Sequence, residues 1–256
     1  TAYGELPLYS DAAVEMDQMY YYQVSVVDMA GNESDLSAID SASIEIRIVI
    51  NEIMQNPSSV SDDNGEWFEI YNHGSVNVPL FDWTVRSTDD AGVYNSFSIT
   101  QHFILQRGSY LVFGNNINSA ENGGVTVNYD YGTSVGLSNS ADELVLLNEN
   151  AIVMDSVSWD NGETFPDPNG KSMALLDPGL DNSLGQNWQE SASVSIFGDG
   201  DIGTPGLVNF YSAIDVEPNS IDFDTVYVND TATMDLLILS IGSSPLVIDS
   251  VYVVSD

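Results

Sequence analysis

The sequence of 256 residues contains no cysteine, so neither disulfide bonds nor thiol chemistry contributes to this fold. Positive charge is almost as scarce, with 39 acidic side chains against four basic ones and a formal net charge of −35. The basic residues are Arg47, Arg86, Arg107 and Lys171. Long apolar runs are missing too, and none approaches the roughly 20 residues that span a bilayer. We therefore expect no direct membrane insertion.

The excess of acidic residues limits the classes of partner. Proteins that bind a nucleic acid backbone use clustered Lys and Arg to displace its counterions. Four scattered cations do not form such a patch, so nucleic acid is not expected as a partner. Cations, extracellular glycans and other protein modules remain. A net charge of this size is also best tolerated in a saline exterior, where salt screens the self-repulsion.

What the sequence does contain is a series of short alternating apolar segments separated by turn signals. Hydrophobic residues make up 43% of the chain, and most are β-branched or aromatic types that favour strands. Asn-Gly pairs, which adopt tight turns easily, occur at 64–65, 122–123, 161–162 and 169–170. The pattern predicts an all-β protein of two or three sandwich modules in tandem. Helix is expected only as single turns, one of them within residues 183–189.

Residues 1–45 form the first block. A Tyr-x-Tyr-x-Val strand at 20–24 leads into Asp-Met-Ala-Gly-Asn-Glu-Ser at 28–34. This order resembles the C-terminal part of a fibronectin type III domain. The opening strands of such a sandwich are missing, so we expect the chain to begin inside a domain. The alternation of the three tyrosines at 20–22 favours a core role over a platform for stacking glycans.

Residues 46–211 form the second block, and several motifs fall in a characteristic order there. They are Val-Ile-Asn-Glu-Ile-Met-Gln-Asn-Pro at 49–57, Asp-Asn-Gly-Glu-Trp-Phe-Glu-Ile-Tyr-Asn at 63–72, Val-Pro-Leu-Phe-Asp-Trp at 78–83, Gln-Asn-Trp at 186–188 and Gly-Asp-Gly-Asp-Ile-Gly-Thr-Pro-Gly at 198–206. The set resembles bacterial lamin tail domains. This resemblance implies an immunoglobulin-like sandwich that occurs as a module of large exported proteins, and it implies no particular reaction.

Residues 212–256 form the third block. Asp-Val-Glu-Pro-Asn-Ser-Ile-Asp-Phe at 215–223 precedes two further alternating segments, at 225–228 and 235–239. This part resembles the first half of the immunoglobulin-like domains related to hydin and major sperm protein. Because an open half-sandwich exposes a strand edge and an apolar face, we expect the parent protein to be longer.

Acidic side chains are the only abundant reactive groups, and calcium is the ligand that they suggest. Asp62, Asp63 and Glu66 lie in or beside one predicted loop, and calcium takes six to eight oxygen ligands. The alternative, which we favour, is a loop whose acids are solvated or cap backbone amides, since no complete ligand spacing is present. Glu69 shares a strand face with Trp67 and is predicted to be partly buried.

A second calcium candidate is Asp199 with Asp201. Asp-Gly-Asp-Ile-Gly begins like a calcium loop, but the distal Glu of an EF-hand is missing. The following Gly-Thr-Pro-Gly predicts a tight turn that returns the chain to the domain. A structural role is therefore favoured here as well. No cofactor is required, and Ca²⁺ is the one candidate ligand.

Motifs that carry catalysis are not found. His73 and His102 are isolated, there is no nucleophile elbow of the Gly-x-Ser-x-Gly type, and no glycine-rich phosphate loop occurs. A glycosidase needs two carboxyls across a cleft, and a small sandwich seldom provides one. Among the tryptophans, Trp67 and Trp83 are predicted to lie in the core, whereas Trp159 is predicted to be the more exposed one. We expect no enzymatic activity.

These observations predict a non-catalytic structural or adhesive module of a secreted or cell-surface bacterial protein. Two alternatives remain open. The chain is then either an accessory domain of a secreted hydrolase (a nuclease, protease or glycosidase) whose catalytic domain lies elsewhere, or a calcium-dependent carbohydrate-binding unit.

Overall fold

The computed structural model describes residues 9–11, 13–15, 18–88, 94–191, 197–198, 200–209, 214–218, 220, 222–223, 225, 227–228, 230–240 and 248. These residues form sixteen strands. They are β1 (Met19–Tyr22), β2 (Asp40–Ser43), β3 (Ile48–Met54), β4 (Trp67–Asn72), β5 (Val78–Pro79), β6 (Thr84–Thr88), β7 (Tyr94–Ser98), β8 (Ile104–Leu105), β9 (Tyr110–Gly114), β10 (Tyr129–Asp130), β11 (Ala141–Leu147), β12 (Val153–Asp160), β13 (Met173–Leu175), β14 (Trp188–Glu190), β15 (Ile214–Glu217) and β16 (Leu237–Ser240).

Two sheets make up the central part of the molecule. The larger has six strands in the order β10-β9-β4-β3-β13-β14, and the smaller has four in the order β12-β11-β6-β7. All neighbours in them are antiparallel except β10 and β9. Strands β5 and β8 pair separately. The prediction of an all-β sandwich with an immunoglobulin-like domain is confirmed.

Helix is confined to two short pieces of the described chain. A 3-10 helix, Gly185–Asn187, lies within the predicted single turn at 183–189. The other is α1 (Asp62–Gly65), which lies in the segment predicted to be a loop. Main-chain bonds from Asn64 and Gly65 to the carbonyl of Ser61 close this turn. No helix among the described residues is long and apolar enough to cross a membrane.

The main hydrophobic core lies between the two sheets. Ile50 and Phe68 from the larger sheet belong to the same buried cluster as Val85 and Leu144 from the smaller one. The rings of Phe68 and Phe113 stack with their centroids 4.8 Å apart. Each such side chain contributes about 1.5–3 kcal/mol when it is removed from water. The period-2 pattern of the sequence places these residues on one face.

The opposite face of the larger sheet is also covered. Met54, Trp67, Val112, Val125 and Val127 form a second buried cluster, with the partly buried Phe197 packed against it. The strands in the middle of this sheet are therefore buried on both faces, and all seven residues of β3 are buried. Polar residues on the second face must find hydrogen-bond partners inside the protein.

A β-bulge decides which polar residues meet on that second face. The pairing of β3 with β4 shifts between Ile50 and Glu52, and the shift places Glu52 directly opposite Glu69. Side chains that lie opposite one another in an antiparallel pair point to the same face of the sheet. The bulge thus brings two carboxyl groups together beneath the second cluster.

Two of the tryptophan predictions are confirmed and one is wrong. Trp67 and Trp83 are buried as predicted. Trp159, predicted to be the more exposed one, is only 3% exposed. It lies on β12 within the main core, and its indole N–H donates to the carbonyl of Ser138 at 2.8 Å. The Asn-Gly turn at 161–162 follows Trp159 in the chain but does not expose its ring to solvent.

The flanking parts form small sheets of two strands each. Strand β1 pairs with β2, and β15 pairs with β16. The core role predicted for the tyrosines at 20–22 is wrong for Tyr21, which is 72% exposed, whereas Tyr20 and Tyr22 on the other face are half-buried. A sheet of only two strands leaves at least one of its faces in contact with water, and Tyr21 lies on such a face.

Candidate functional site

A polar cleft of about 430 Å³ opens beside the end of the larger sheet. Asp62 comes from α1, Glu66 from the residue before β4, and Asp142 from β11. The described residues that line the cleft are Asp62, Glu66, Ser87, Asn95, Gly136, Leu137, Ser138, Asn139, Ser140 and Asp142. Two of the predicted calcium ligands, Asp62 and Glu66, are therefore brought to one place.

Glu66 is the most perturbed group of this cleft. Its side chain is only 8% exposed, and its Oε2 accepts a hydrogen bond from the main-chain N–H of Leu137 at 3.0 Å. Burial raises its pKa from 4.5 to about 8, and the negative charges of Asp62, Asp142 and Asp63 add to the rise. The carboxyl group is therefore largely neutral at neutral pH.

The high pKa of Glu66 predicts a pH-dependent loss of stability. Since the folded chain binds this proton more tightly than the unfolded chain, the contribution to stability is complete below pH 4.5. It is lost as the pH rises through about 8, with a total on the order of 5 kcal/mol. We expect the free energy of unfolding, measured in urea at pH 5 and pH 8.5, to fall less in Glu66→Gln than in the wild type. Equal slopes in the two proteins would contradict the assignment.

The other two carboxylates of the cleft hold neighbouring loops. Asp142 is buried and accepts main-chain N–H groups from Thr88 and Ser138, each at 3.0 Å. Asp62 is half-buried and accepts from the amide of Asn139 at 3.0 Å. Asp63 is exposed and does not line the cleft.

Asp201 lies apart from the cleft and fastens a different loop. It is 4% exposed, and its Oδ1 accepts from the N–H of Ser58, the hydroxyl of Ser58 and the N–H of Ser59 at 2.8–3.1 Å. These bonds join residues more than 140 positions apart. Asp199 lies outside the described residues.

A second group of acids consists of Glu52 and Glu69, both fully buried. Glu52 accepts from the N–H of Thr204 at 2.7 Å, from its hydroxyl at 2.9 Å, and from the hydroxyls of Ser172 and Ser191. Glu69 accepts from the N–H of Gly206 and from the side-chain amide of Asn51. Burial raises the pKa of both carboxyls, and the charge of Glu52 raises that of Glu69 further.

Asn209 completes this buried network. Its side-chain amide donates to the carbonyl of Asn51 at 3.0 Å and to the carbonyl of Leu175 at 2.8 Å. Its Oδ1 lies 2.9 Å from the hydroxyl of Thr204, whose single hydrogen is shared between Asn209 and Glu52. The segment 200–209, which we call the strap, is thereby bound to β3, β4 and the end of β13. The glycine-rich motif that suggested a tight turn is the segment that covers the two glutamates.

A half-buried acid links the two sheets. Asp155 on β12 accepts from the N–H of Ile50 and from the amide of Asn182 at 2.8 Å. Burial raises its pKa to about 6. Its contacts are again with the main chain of another strand, and it serves to hold β12 against β3.

Among the described residues, the side chains that bind metals most often do not come together in a metal centre. No group of three or more His, Asp or Glu side chains suited to hold a metal ion occurs among the described residues. Calcium at Asp62, Asp63, Glu66, Asp199 or Asp201 therefore stays a prediction. His102 stacks on Phe81 with the ring centroids 4.2 Å apart, and His73 lies 6.0 Å from the ring of Tyr71.

Sequence reasoning missed several of these residues. Asp142 and Asp155 lie in strands without any motif around them, and their partners are far away in the chain. Thr204 belongs to the motif at 198–206, but the spacing of that motif did not predict its contacts with Glu52, and Asn209 lies beyond the motif. The only available signal for burial was the strand face that Glu69 shares with Trp67, and the structure places Glu69 on that face in full burial.

Comparison with known proteins supports this architecture for the central part. Residues 41–161 match the family model of the Lamin Tail Domain. No curated protein matches the chain. Strands β13 and β14 lie beyond the matched residues, yet β13 pairs with β3 inside the same sheet. An immunoglobulin-like domain of this family is a binding or structural module.

Proposed function

We propose that the chain is a non-catalytic structural module of an exported multidomain bacterial protein, located in secreted material or at the cell surface. One observation carries the proposal: each of the five buried carboxylates of the described structure accepts a hydrogen bond from a main-chain N–H group. They are Glu52, Glu66, Glu69, Asp142 and Asp201. These acids fasten strands and loops to one another.

The cleft beside Glu66 supports a structural role of the domain more than it supports a ligand-binding role. Sugar rings stack on aromatic side chains, and the described lining of this cleft has no aromatic residue. Its carboxylates are occupied by loop contacts. Other protein modules are therefore the partners that we favour, with extracellular glycans second.

A survey of hydrolytic activity tests the absence of catalysis. The full chain is incubated with a fluorogenic protein, plasmid DNA and soluble polysaccharides, with calcium and with a chelator. We expect no turnover above the rate of a heat-denatured sample. Turnover that is lost in Glu66→Gln, at unchanged thermal stability, would overturn the proposal.

Calcium should not be required for folding. A site with a dissociation constant 100-fold below the calcium concentration would add about 2.7 kcal/mol to the free energy of unfolding. We expect the melting temperature to be the same in millimolar calcium as in EDTA at constant ionic strength. A rise that disappears in the variant Asp62→Asn with Glu66→Gln would instead establish a calcium site in the cleft.

A further inference from the structure

The pair formed by Glu52 and Glu69 has no positive partner among the described residues. The only described ion pair joins Lys171 to Glu190 at an exposed position. Two carboxylates without a counterion are costly to bury side by side. The pair must therefore take up a proton or bind a cation, either of which lowers its negative charge.

Hydrogen bonds are distributed unequally between the two carboxyl groups. Glu52 receives three, from the hydroxyls of Ser172 and Ser191 and from the N–H of Thr204, and it shares the single hydroxyl hydrogen of Thr204 with Asn209. Glu69 receives two, from Gly206 and Asn51. Since donors stabilise the ionised form, Glu52 is the better place for the negative charge and Glu69 the better place for a proton.

Asn51 provides an acceptor for that proton. Its side chain is 1% exposed, and its Oδ1 has no hydrogen-bond partner among the described residues. Its Nδ2 lies 2.8 Å from Oε1 of Glu69. If the amide turns over, Oδ1 occupies this position and accepts a hydrogen bond from a protonated Glu69. In the observed orientation Asn51 donates to an ionised Glu69, and in the turned orientation it accepts from a protonated one.

We propose that Glu69 carries a proton when the strap is closed, and that loss of this proton releases residues 203–208 of the strap from the sheet. The second negative charge is tolerated only if water reaches it, and the strap is what keeps water away. Its residues Thr204 and Gly206 donate directly to the two carboxyls. The strap brings no positive charge, since Asp201 is its only ionisable residue.

The titratable groups around Glu52 and Glu69 also favour a strap that opens as the pH rises. On β9, burial and the charge of Glu69 raise the pKa of Tyr110, so this phenol stays neutral and adds no negative charge beside the pair. The adjoining Tyr71 of β4 lies 4.7 Å from the ring of Tyr110. Asp201 is held by Ser58 and Ser59. The strap is therefore expected to stay closed at low pH and to open as the pH rises through the pKa of Glu69.

Hydrogen exchange of the full chain, followed by mass spectrometry, measures this opening. Exchange of peptides that cover the strap is compared between pH 6 and pH 10 after correction for the intrinsic rate at each pH. Above the pKa of Glu69, protection in the wild type should fall about tenfold per pH unit. In Glu69→Gln, whose amide donates where the protonated acid does, protection should be independent of pH. Glu66→Gln, which removes a different buried carboxyl, is the matched control, and protection of its strap should depend on pH as in the wild type.

Other results would overturn the proposal. One is protection of the strap that is unchanged up to pH 10 in the wild type, and another is the same pH-dependent loss in Glu69→Gln. If Glu69→Gln does not fold, infrared difference spectra of the wild type test the proposal instead. A protonated-carboxyl band must then disappear in step with strap protection. Metal analysis that finds a stoichiometric cation, whose removal by chelator opens the strap at neutral pH, would show that a cation occupies the place of the proton.

Discussion

Replacing Glu52 by alanine should lower the free energy of unfolding by about 3 kcal/mol. The substitution leaves the N–H of Thr204 without an acceptor inside the protein, and an unsatisfied buried donor costs about 1–3 kcal/mol. The space left by the carboxyl and its methylenes adds a cavity. Urea unfolding at pH 6, followed by tryptophan fluorescence, measures the change.

Glu52→Gln is the matched control for this experiment. Its amide oxygen still accepts from Thr204, and its N–H₂ group faces the hydroxyl of the same residue, which in turn donates to Asn209. We expect a loss of less than about 1 kcal/mol. If the alanine variant is as stable as the glutamine variant, the network around Glu52 does not stabilise the domain in the way described.

Replacing Trp67 by alanine should have a comparable or larger effect, a loss of about 3–5 kcal/mol. The ring is 1% exposed and packs in the second cluster, with Phe197 edge-on at 6.0 Å between centroids. Truncation opens a cavity between the sheet and the segments that cover it. The midpoint of thermal unfolding, measured by calorimetry, should fall accordingly.

A surface substitution of the same kind checks the assignment. Ile117 is 56% exposed, and Ile117→Ala should change stability by no more than about 0.5 kcal/mol. Trp67→Phe, which keeps a ring in the same place, should fall between the two alanine variants. A loss below about 1 kcal/mol for Trp67→Ala would show that the second face of the sheet is not tightly packed.

The sequence predicts those features of the fold that depend on neighbouring residues. Alternation along β3, β4, β9 and β11 follows from the period of two in a strand, and it identifies the all-β class and the burial of Trp67 and Trp83. The same alternation places Glu69 on the covered face. Local spacing is sufficient in these cases because successive side chains of a strand point to opposite faces of the sheet.

Features that depend on distant partners were not predictable from spacing. Glu52 meets Thr204 across 152 positions, and Asp201 meets Ser59 across 142. Trp159 was predicted to be more exposed because a turn follows it, whereas a contact with Ser138 covers it. The number of acidic residues did not predict the role of any one of them. That role depends on how deeply the carboxyl is buried and on which main-chain N–H groups donate to it.

The long reach of the strap has a consequence for biosynthesis. Residues 203–206 leave the ribosome about 140 residues after β3 and β4, so the part of the second face that carries Glu52 and Glu69 lacks its strap throughout that time. Edges and faces of unfinished sheets promote aggregation. While the face is wet, Glu52 and Glu69 are ionised like any hydrated carboxyl, and their charges repel neighbouring nascent chains. The same two side chains thus protect the intermediate as anions and are neutralised in part only when folding is complete.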